Sequence, residues 1–398
     1  MPNPSRSAIL AGAVAAALAL LWLIADVELV DAGHLNGLFY TGTNAALPPA
    51  ISDRTYRVRD EHGYDGEFYY LIAHDPLNQR GFLAYVDTPR YRWRRIALPG
   101  LAYLLALGND AWVDSAYVAL QLAFVFLGAY WLACYAQQKN RKVDWGVAFL
   151  LIPAVAVSLD RMTVDLPLAA ICVALLQYGS RLDASSGSRW PAYVALVAAP
   201  LFRETGVLLI LAWCAFWMLR KNYRSAFLGA VCALPALGWW LYVALHTIPD
   251  PTGFLGGFPL SGLVTWTVHA VSEPAAVYGP RANAVLELAA LAGIWLAFAL
   301  TVSVAVKWRV KGRDWGSDWD LPEITAIAFV AFAALLGNQQ VLASAYGIGR
   351  TLSPLLIALA AIALRDRRPL FALPLLLIVP RIALQFAAEI KVALLARL

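Results

Sequence analysis

Residues 59–70 read Arg59-Asp60-Glu61-His62-Gly63-Tyr64-Asp65-Gly66-Glu67-Phe68-Tyr69-Tyr70, so four carboxylates and a histidine fall within eight residues. A carboxylate beside an apolar surface can have a raised pKa and take a proton from a hydroxyl near neutral pH. Asp65, Asp60 and Glu61 are therefore candidate bases, with Glu67 and Tyr69 next to them. The plainer reading is that Asp65 caps a helix over 66–75 and that Asp60 and Glu61 belong to a solvated loop.

Three further constellations set charge against apolar flanks. In Asp160-Arg161-Met162-Thr163-Val164-Asp165, Asp160 ends one apolar run and Asp165 begins the next. The two acids either cap a hairpin tip or point into a cavity there. Phe202-Arg203-Glu204-Thr205 lies between two short apolar runs, where charge is expensive unless partnered. Arg203 and Glu204 either pair with each other or, the favoured reading, leave Arg203 to hold a phosphate. In Tyr346-Gly347-Ile348-Gly349-Arg350-Thr351-Leu352-Ser353-Pro354, Arg350 stands alone among apolar and small residues at a helix start. A lone cation there calls for an anion; the helix N-terminus adds positive charge, and glycines let a ligand approach the backbone. Arg350 is the foremost phosphate candidate. Arg281, in Tyr278-Gly279-Pro280-Arg281, is a weaker one that could equally anchor a span at the interface.

The elements that must position these groups are membrane helices. Of 398 residues, 61% are hydrophobic and 14% charged, and mean hydropathy is +0.62. Globular chains carry about 45–50% apolar and about 25% charged residues, so a water-soluble core cannot hide this much apolar surface. Intrinsic disorder, collagen-like repeats and a disulfide scaffold are excluded. The net charge of +5 is spread through short connections rather than clustered, which argues against nucleic acid. Cys134, Cys172, Cys214 and Cys232 lie in apolar stretches without metal spacing and read as small hydrophobes.

Apolar segments at 8–30, 113–135, 143–159, 165–180, 191–201, 205–219, 225–246, 284–307, 322–337, 351–364 and 370–388 predict about eleven spans. Several are short, notably 191–201, and short spans meeting at polar turns suggest a polar cavity at one face. Every second connection is basic: Lys139, Arg141 and Lys142; Arg181 and Arg189; Arg220, Lys221 and Arg224; Lys307, Arg309, Lys311 and Arg313; Arg365, Arg367 and Arg368. The positive-inside rule assigns these connections and the N-terminus to the cytoplasm and the acidic constellations to the outside. Residues 31–112 then form a large first extracytoplasmic loop. It carries a surface amphipathic helix at 64–75, with Tyr64, Phe68, Leu71 and Ile72 on one face, and an interfacial helix or half-span at 96–108. The chain, 1–398, reads as one all-α polytopic membrane domain.

The segment Tyr64-Asp65-Gly66-Glu67-Phe68-Tyr69-Tyr70-Leu71-Ile72-Ala73 resembles the W/Y-D-G/A-x-x-Y/F-x-x-I-A stretch in the first outward loop of GT-C membrane glycosyltransferases. The resemblance is closest to the GPI-mannosyltransferase-like branch and related bacterial cell-surface polysaccharide proteins. The layout of a first span, a large outward loop and many later spans extends it over the chain. It implies a GT-C-like fold in a bacterial inner membrane, with a cytoplasmic N-terminus and a periplasmic active site. It also implies an inverting transfer of a sugar from a polyprenyl-phosphate donor to a hydroxyl of a glycan, lipid or protein acceptor. In that superfamily an Asp of the first loop is the base, a role that falls on Asp65. Asp60-Glu61 resembles the Asp-Glu pair of protein O-mannosyltransferases and aminoarabinose transferases and competes for it. Late-loop basic residues contact the lipid phosphate in these enzymes, which points to Arg350, with Arg203 and Arg281 as further candidates. Asp160, Asp165, Glu204, Glu67 and Tyr69 are left to position substrate.

A polyprenyl-phosphate donor carries its own leaving group, so the acid–base pair of a hydrolase is not needed. No metal or cofactor is required, although the acid clusters leave a divalent cation open. The expected partners are the lipid-linked sugar, its acceptor and membrane lipids. The sequon-recognition motif and soluble C-terminal domain of the oligosaccharyltransferase branch do not occur in the sequence. Three other readings stay open: a lipid-linked sugar flippase or transporter, a non-catalytic subunit of a glycopolymer assembly complex, and a polysaccharide polymerase or ligase with an undecaprenyl diphosphate donor.

Overall fold

A computed structural model describes residues 5–58, 63–180, 189–249, 258–272, 281–310, 319–337, 339–342 and 344–395. Among these residues the chain is helical, with one isolated bridge between Gly42 and Val58. Helix α1 (Arg6–Leu29) is capped by Ser5, whose side chain accepts from the Ala8 N–H. The following connection contributes α2 (Asp65–His74) and α3 (Ala97–Leu105). Helix α4 (Asp110–Gln138) starts at Asn109, whose side chain accepts from the Ala111 N–H. A tight helical segment, Val143–Leu151, leads into α5 (Pro153–Arg161), α6 (Asp165–Gly179), α7 (Trp190–Phe202) and α8 (Val207–Leu219). Then come α9 (Tyr223–Val231), α10 (Leu234–His246), α11 (Ser261–Ser272), α12 (Arg281–Val310), α13 (Leu321–Leu335), α14 (Ala345–Thr351), α15 (Ser353–Asp366) and α16 (Leu373–Leu395). The main packing partners are α1 with α4, α4 with α6, α12 with α16, and α13 with α15.

Five to seven of the eleven expected spans have the length and composition of a crossing helix among the described residues. Among the described residues, five helical stretches are long and apolar enough to cross a bilayer: Arg6–Leu29, Asp110–Gln138, Tyr223–His246, Arg281–Val306 and Pro369–Lys391. Two more arise only if each of two bent pairs is one span, and the apolar helices α6, α7, α13 and Glu204–Leu219 are shorter. A helix rises about 1.5 Å per residue, so fewer than about 17 residues do not bridge the hydrocarbon core. The chain has the helices of a multi-pass membrane protein, with several shorter ones packed among them.

The two bent pairs have a shared physical cause. Val143–Leu151 and α5 meet at 56°, where Pro153 follows an extended Ile152; α14 and α15 meet at 66°, where Pro354 follows Ser353. Proline removes a backbone donor and disfavours helix in the residue before it. Backbone freed in an apolar setting must be satisfied by neighbours. Here the breaks serve each other: the Ala154 N–H donates to Ser353 Oγ at 2.8 Å, and that hydroxyl donates to the Gly349 carbonyl at 2.9 Å.

Helices α6 and α15 separate two kinds of chain end. Around Gly179 and Asp366 lie residues from the basic connections: Arg141 Nε donates to the Leu364 carbonyl at 2.8 Å, Arg220 to the Trp319 carbonyl at 2.9 Å, and Arg365 Nη1 to Glu323 at 3.2 Å. Around Asp165 and Ser353 lie the acidic constellations. The hairpin between α5 and α6 is held there by α4, with Tyr117 donating to the Met162 carbonyl and Gln121 to the Thr163 carbonyl.

Helix α2 is not the surface helix that its pattern suggests. Tyr69, Tyr70, Leu71, Ile72 and Ala73 are all buried, because α3, α4 and the turn at Leu35–Phe39 pack around it. The short α3 presents Leu104, Leu105 and the following Leu107 outward and covers α2 with its other face. At the start of α2, Gly66 lies against backbone, and a Cβ there would collide with the carbonyl oxygens of Arg161 and Phe39. Gly66→Ala should therefore lower stability by about 1–3 kcal/mol, read as a fall in the unfolding midpoint in detergent. An unchanged midpoint would mean that α2 does not abut the α5–α6 hairpin.

Candidate functional site

Asp65 is the first residue of α2, after an extended Tyr64 whose side chain makes no capping bond. The Asp65 carboxylate turns away from its helix. Its Oδ1 lies 2.8 Å from Arg92 Nη1, and its Oδ2 accepts a hydrogen bond of 2.6 Å from Arg350 Nη2. Asp65 thus joins two distant arginines instead of capping α2.

Arg92 ends the short helix Pro89–Arg92 and also grips Asp87 with two bonds of 3.0 Å. Trp93 holds this stretch by donating to the Pro76 carbonyl, while Trp239 donates to the Trp93 carbonyl. Arg350 lies in the last turn of α14, not alone at a helix start as its flanks suggested, and its Nε lies 3.6 Å from Asp165 Oδ2 at the start of α6. Asp165 also pairs with Arg203, whose Nη2 donates to Thr351 Oγ1 at 3.0 Å. Arg95 is clamped by Glu204, Nε to Oε2 at 2.7 Å and Nη2 to Oε1 at 2.8 Å, and donates to Tyr69 Oη at 2.6 Å. Three of these guanidinium groups lie over rings: Arg92 on Phe68 at 4.6 Å, Arg95 on Tyr91 at 4.1 Å and Arg350 on Tyr64 at 5.3 Å. Such stacking orients a guanidinium and leaves its in-plane N–H groups for acceptors.

These side chains surround a cavity of about 240 Å³ whose wall includes Asp65, Arg92, Arg95, Arg203, Arg350 and Tyr346. Arg350 Nη1 and Arg203 Nε are buried without a hydrogen-bond acceptor among the described residues. Buried donors of charged groups left open in this way favour an incoming anion. Beside the cavity runs an apolar groove of about 940 Å³ between α3, α7 and α9. Its wall residues Ile96 and Phe202 are the chain neighbours of Arg95 and Arg203.

The electrostatics depart from the expectation of a raised Asp65 pKa. Burial alone would push the Asp65 carboxyl up, but Arg92 and Arg350, with Arg95 behind them, hold it well below the ordinary carboxylate range. A raised acid on the same helix is Glu67, which burial pushes up to about 7 against the opposing bond from the Gly42 N–H, 3.3 Å long. Asp87, although partly buried, is held below its ordinary value by Arg92.

The other expected site residues fall into two groups. Asp165, Glu204 and Tyr69 stand behind the cavity wall and hold its arginines. Glu67 turns to Gly42, and Asp160 accepts from Tyr346, which itself lines the cavity. None of these five is a wall residue, so their placement fits positioning of the arginines and of Tyr346 rather than contact with a substrate. Arg203 and Glu204 do not form the close internal pair considered from their adjacency; Arg203 Nε and Glu204 Oε1 are 4.0 Å apart. Arg281 starts α12, is exposed and does not line the cavity. Asp60 and Glu61 lie outside the described residues. Among the described residues no group of three or more His, Cys, Asp or Glu is arranged to hold a metal ion.

The sequence reading passed over Arg92, Arg95 and Tyr91. Their signal was Arg90-Tyr91-Arg92-Trp93-Arg94-Arg95, where Arg92 and Arg95 are three apart and so share a helical face. A run of basic residues in a long polar loop looks solvated until an acid such as Glu204 arrives from a distant part of the chain.

Two measurements test this arrangement. Arg95→Met strands the Glu204 carboxylate and should cost about 3–5 kcal/mol of stability, whereas Arg95→Met with Glu204→Leu should recover most of it; equal losses in both would deny the pair. Glu67 has a folded pKa above its unfolded value of 4.5, so its favourable term is complete below about 4.5 and is lost as pH rises toward about 7. Glu67→Gln should flatten the fall in unfolding temperature across that window, and an unaltered slope would place the titration elsewhere. No protein-family profile matches the chain, and neither a curated protein nor a solved structure is significantly similar to it.

Proposed function

We propose that this chain is an inverting glycosyltransferase of GT-C type that moves a sugar from a polyprenyl-phosphate donor to an acceptor hydroxyl at the extracytoplasmic face of a bacterial inner membrane. The observation that carries the reading is the placement of Asp65 between Arg92 and Arg350, in an arginine-walled cavity beside an apolar groove. A lipid-linked phosphate has both of the matching parts: an anion for planar guanidinium groups and a long hydrocarbon for the groove.

The Asp65 carboxylate engages the same arginines that a phosphate would engage. A donor phosphate drawing Arg350 and Arg92 toward itself frees Asp65 from the charges that depress its pKa, and its basicity rises. The acceptor oxygen then attacks the anomeric carbon from the side opposite the phosphate and gives its proton to Asp65. The bond from the anomeric carbon to the phosphate oxygen breaks, and the polyprenyl phosphate departs with the electron pair, its charge met by Arg350, Arg203 and Arg92. This division of work needs one base and several cations, and the cavity wall supplies Asp65 and four arginines, with Asp87 bound to Arg92.

The test is transfer of radiolabelled sugar in proteoliposomes from a panel of polyprenyl-phosphate sugars. Wild type should transfer from at least one donor, and Asp65→Asn should lower turnover by about 10²–10⁴-fold while still binding donor. Arg350→Gln should weaken donor binding. An Asp65→Asn protein with full turnover would remove Asp65 as the base. Donor binding without transfer from any donor would favour the flippase or subunit reading.

A further inference from the structure

The end of the helix bundle away from the arginine cavity holds a second groove, of about 420 Å³, between α4, the Val143–Leu151 segment, α15 and α16. Its walls are apolar, with Leu132, Trp145, Leu151, Ile357 and Leu376 among them, and Arg141 and Arg367 are its charged wall residues. Trp145, Leu151 and Leu376 are exposed. On a chain whose helices are apolar enough to cross a bilayer, such a face meets hydrocarbon, and Trp marks the level where hydrocarbon gives way to headgroups.

The two arginines differ from their neighbour. Arg365 is neutralised by Glu323, Asp320 and Asp366. Arg141 commits only Nε, to the Leu364 carbonyl, and neither Arg141 nor Arg367 pairs with a carboxylate among the described residues. Arg367 ends α15 in the left-handed region, φ 58°, where glycine is the usual residue. Lys142 and Asp144, of opposite sign, line an adjoining open face instead of this groove.

We propose that this groove is a binding site for an anionic glycerophospholipid, with one acyl chain lying along the Leu132–Leu376 walls and the headgroup phosphate held by Arg141 and Arg367. The charge complementarity selects the lipid class: a zwitterionic headgroup brings its own cation to the two arginines, whereas phosphatidylglycerol brings only the phosphate. The site is separate from the arginine cavity and stands whether or not the chain transfers sugar.

The full chain, purified and delipidated in detergent, would be offered equimolar phosphatidylglycerol and phosphatidylcholine with identical acyl chains, and retained lipid would be counted by native mass spectrometry. Wild type should keep phosphatidylglycerol preferentially. Arg141→Gln with Arg367→Gln should lose that preference by about fivefold per arginine, and Arg141→Lys with Arg367→Lys should restore part of it. Lys142→Gln with Arg368→Gln, two exposed positions outside the groove, should leave it intact. Ala360→Trp, which fills the groove, should reduce retention of both lipids. Unfolding temperatures would verify that each variant is folded. Equal retention of the two lipids by wild type would overturn the proposal. So would a loss in the Lys142/Arg368 variant as large as that in the Arg141/Arg367 variant, which would reduce the effect to diffuse surface charge.

Discussion

A charge removed from water has to meet its opposite, and at one end of this bundle that requirement ties distant parts of the chain together. Arg350 touches both Asp65 and Asp165, Asp165 reaches on to Arg203, and Arg203 donates to Thr351. A second knot, Arg95 with Glu204, Tyr69 and Tyr91, stands beside the first. Helices α2, α6, α14 and the turn after α7 are fixed relative to one another by these contacts as much as by apolar packing. The same lattice leaves a few guanidinium N–H groups without acceptors among the described residues, and those openings give the cavity its chemical character.

The helical character of the chain was legible in composition and run length, and each apolar segment read from the sequence corresponds to helix. Length was harder to read. The segments at 143–159 and 351–364 look continuous in hydropathy, but Pro153 and Pro354 place sharp bends at or beside them. Hydropathy averages over a window, whereas a proline acts at a single bond. The segment 64–75 misled for another reason. Its apolar face of Tyr64, Phe68, Leu71 and Ile72 suits a surface helix, yet Glu67, Tyr69 and His74 are also buried, by partners that sequence proximity does not reveal.

At the site, the charged residues near apolar runs were legible because charge in such a setting is costly and therefore conspicuous. Asp65, Asp165, Arg203 and Arg350 were found this way, and the structure brings these four together. Their pairing was not legible. Arg203 and Glu204 are adjacent in sequence, but each takes its main partner from far away, Asp165 for one and Arg95 for the other. Arg92 and Arg95 were hidden because a polar loop makes any arginine look ordinary.

The separation of the partners also bears on how the protein is made. Asp65 and Arg350 are 285 residues apart, and Ala154 and Ser353 are 199 apart. A ribosome delivers Asp65 and Asp165 to the membrane long before the cation that joins them exists, and the first helix break waits just as long for the hydroxyl that satisfies it. Asp65 meets Arg92 and Asp165 meets Arg203 early, but the link between the two pairs stays open through most of synthesis, and closure of the site coincides with arrival of α14 and α15. A chain stopped short of Arg350 keeps most of its apolar helices and the separate acid–arginine pairs but lacks the cation that joins them, and so remains distinguishable from the finished protein to whatever surveys the membrane for incomplete chains.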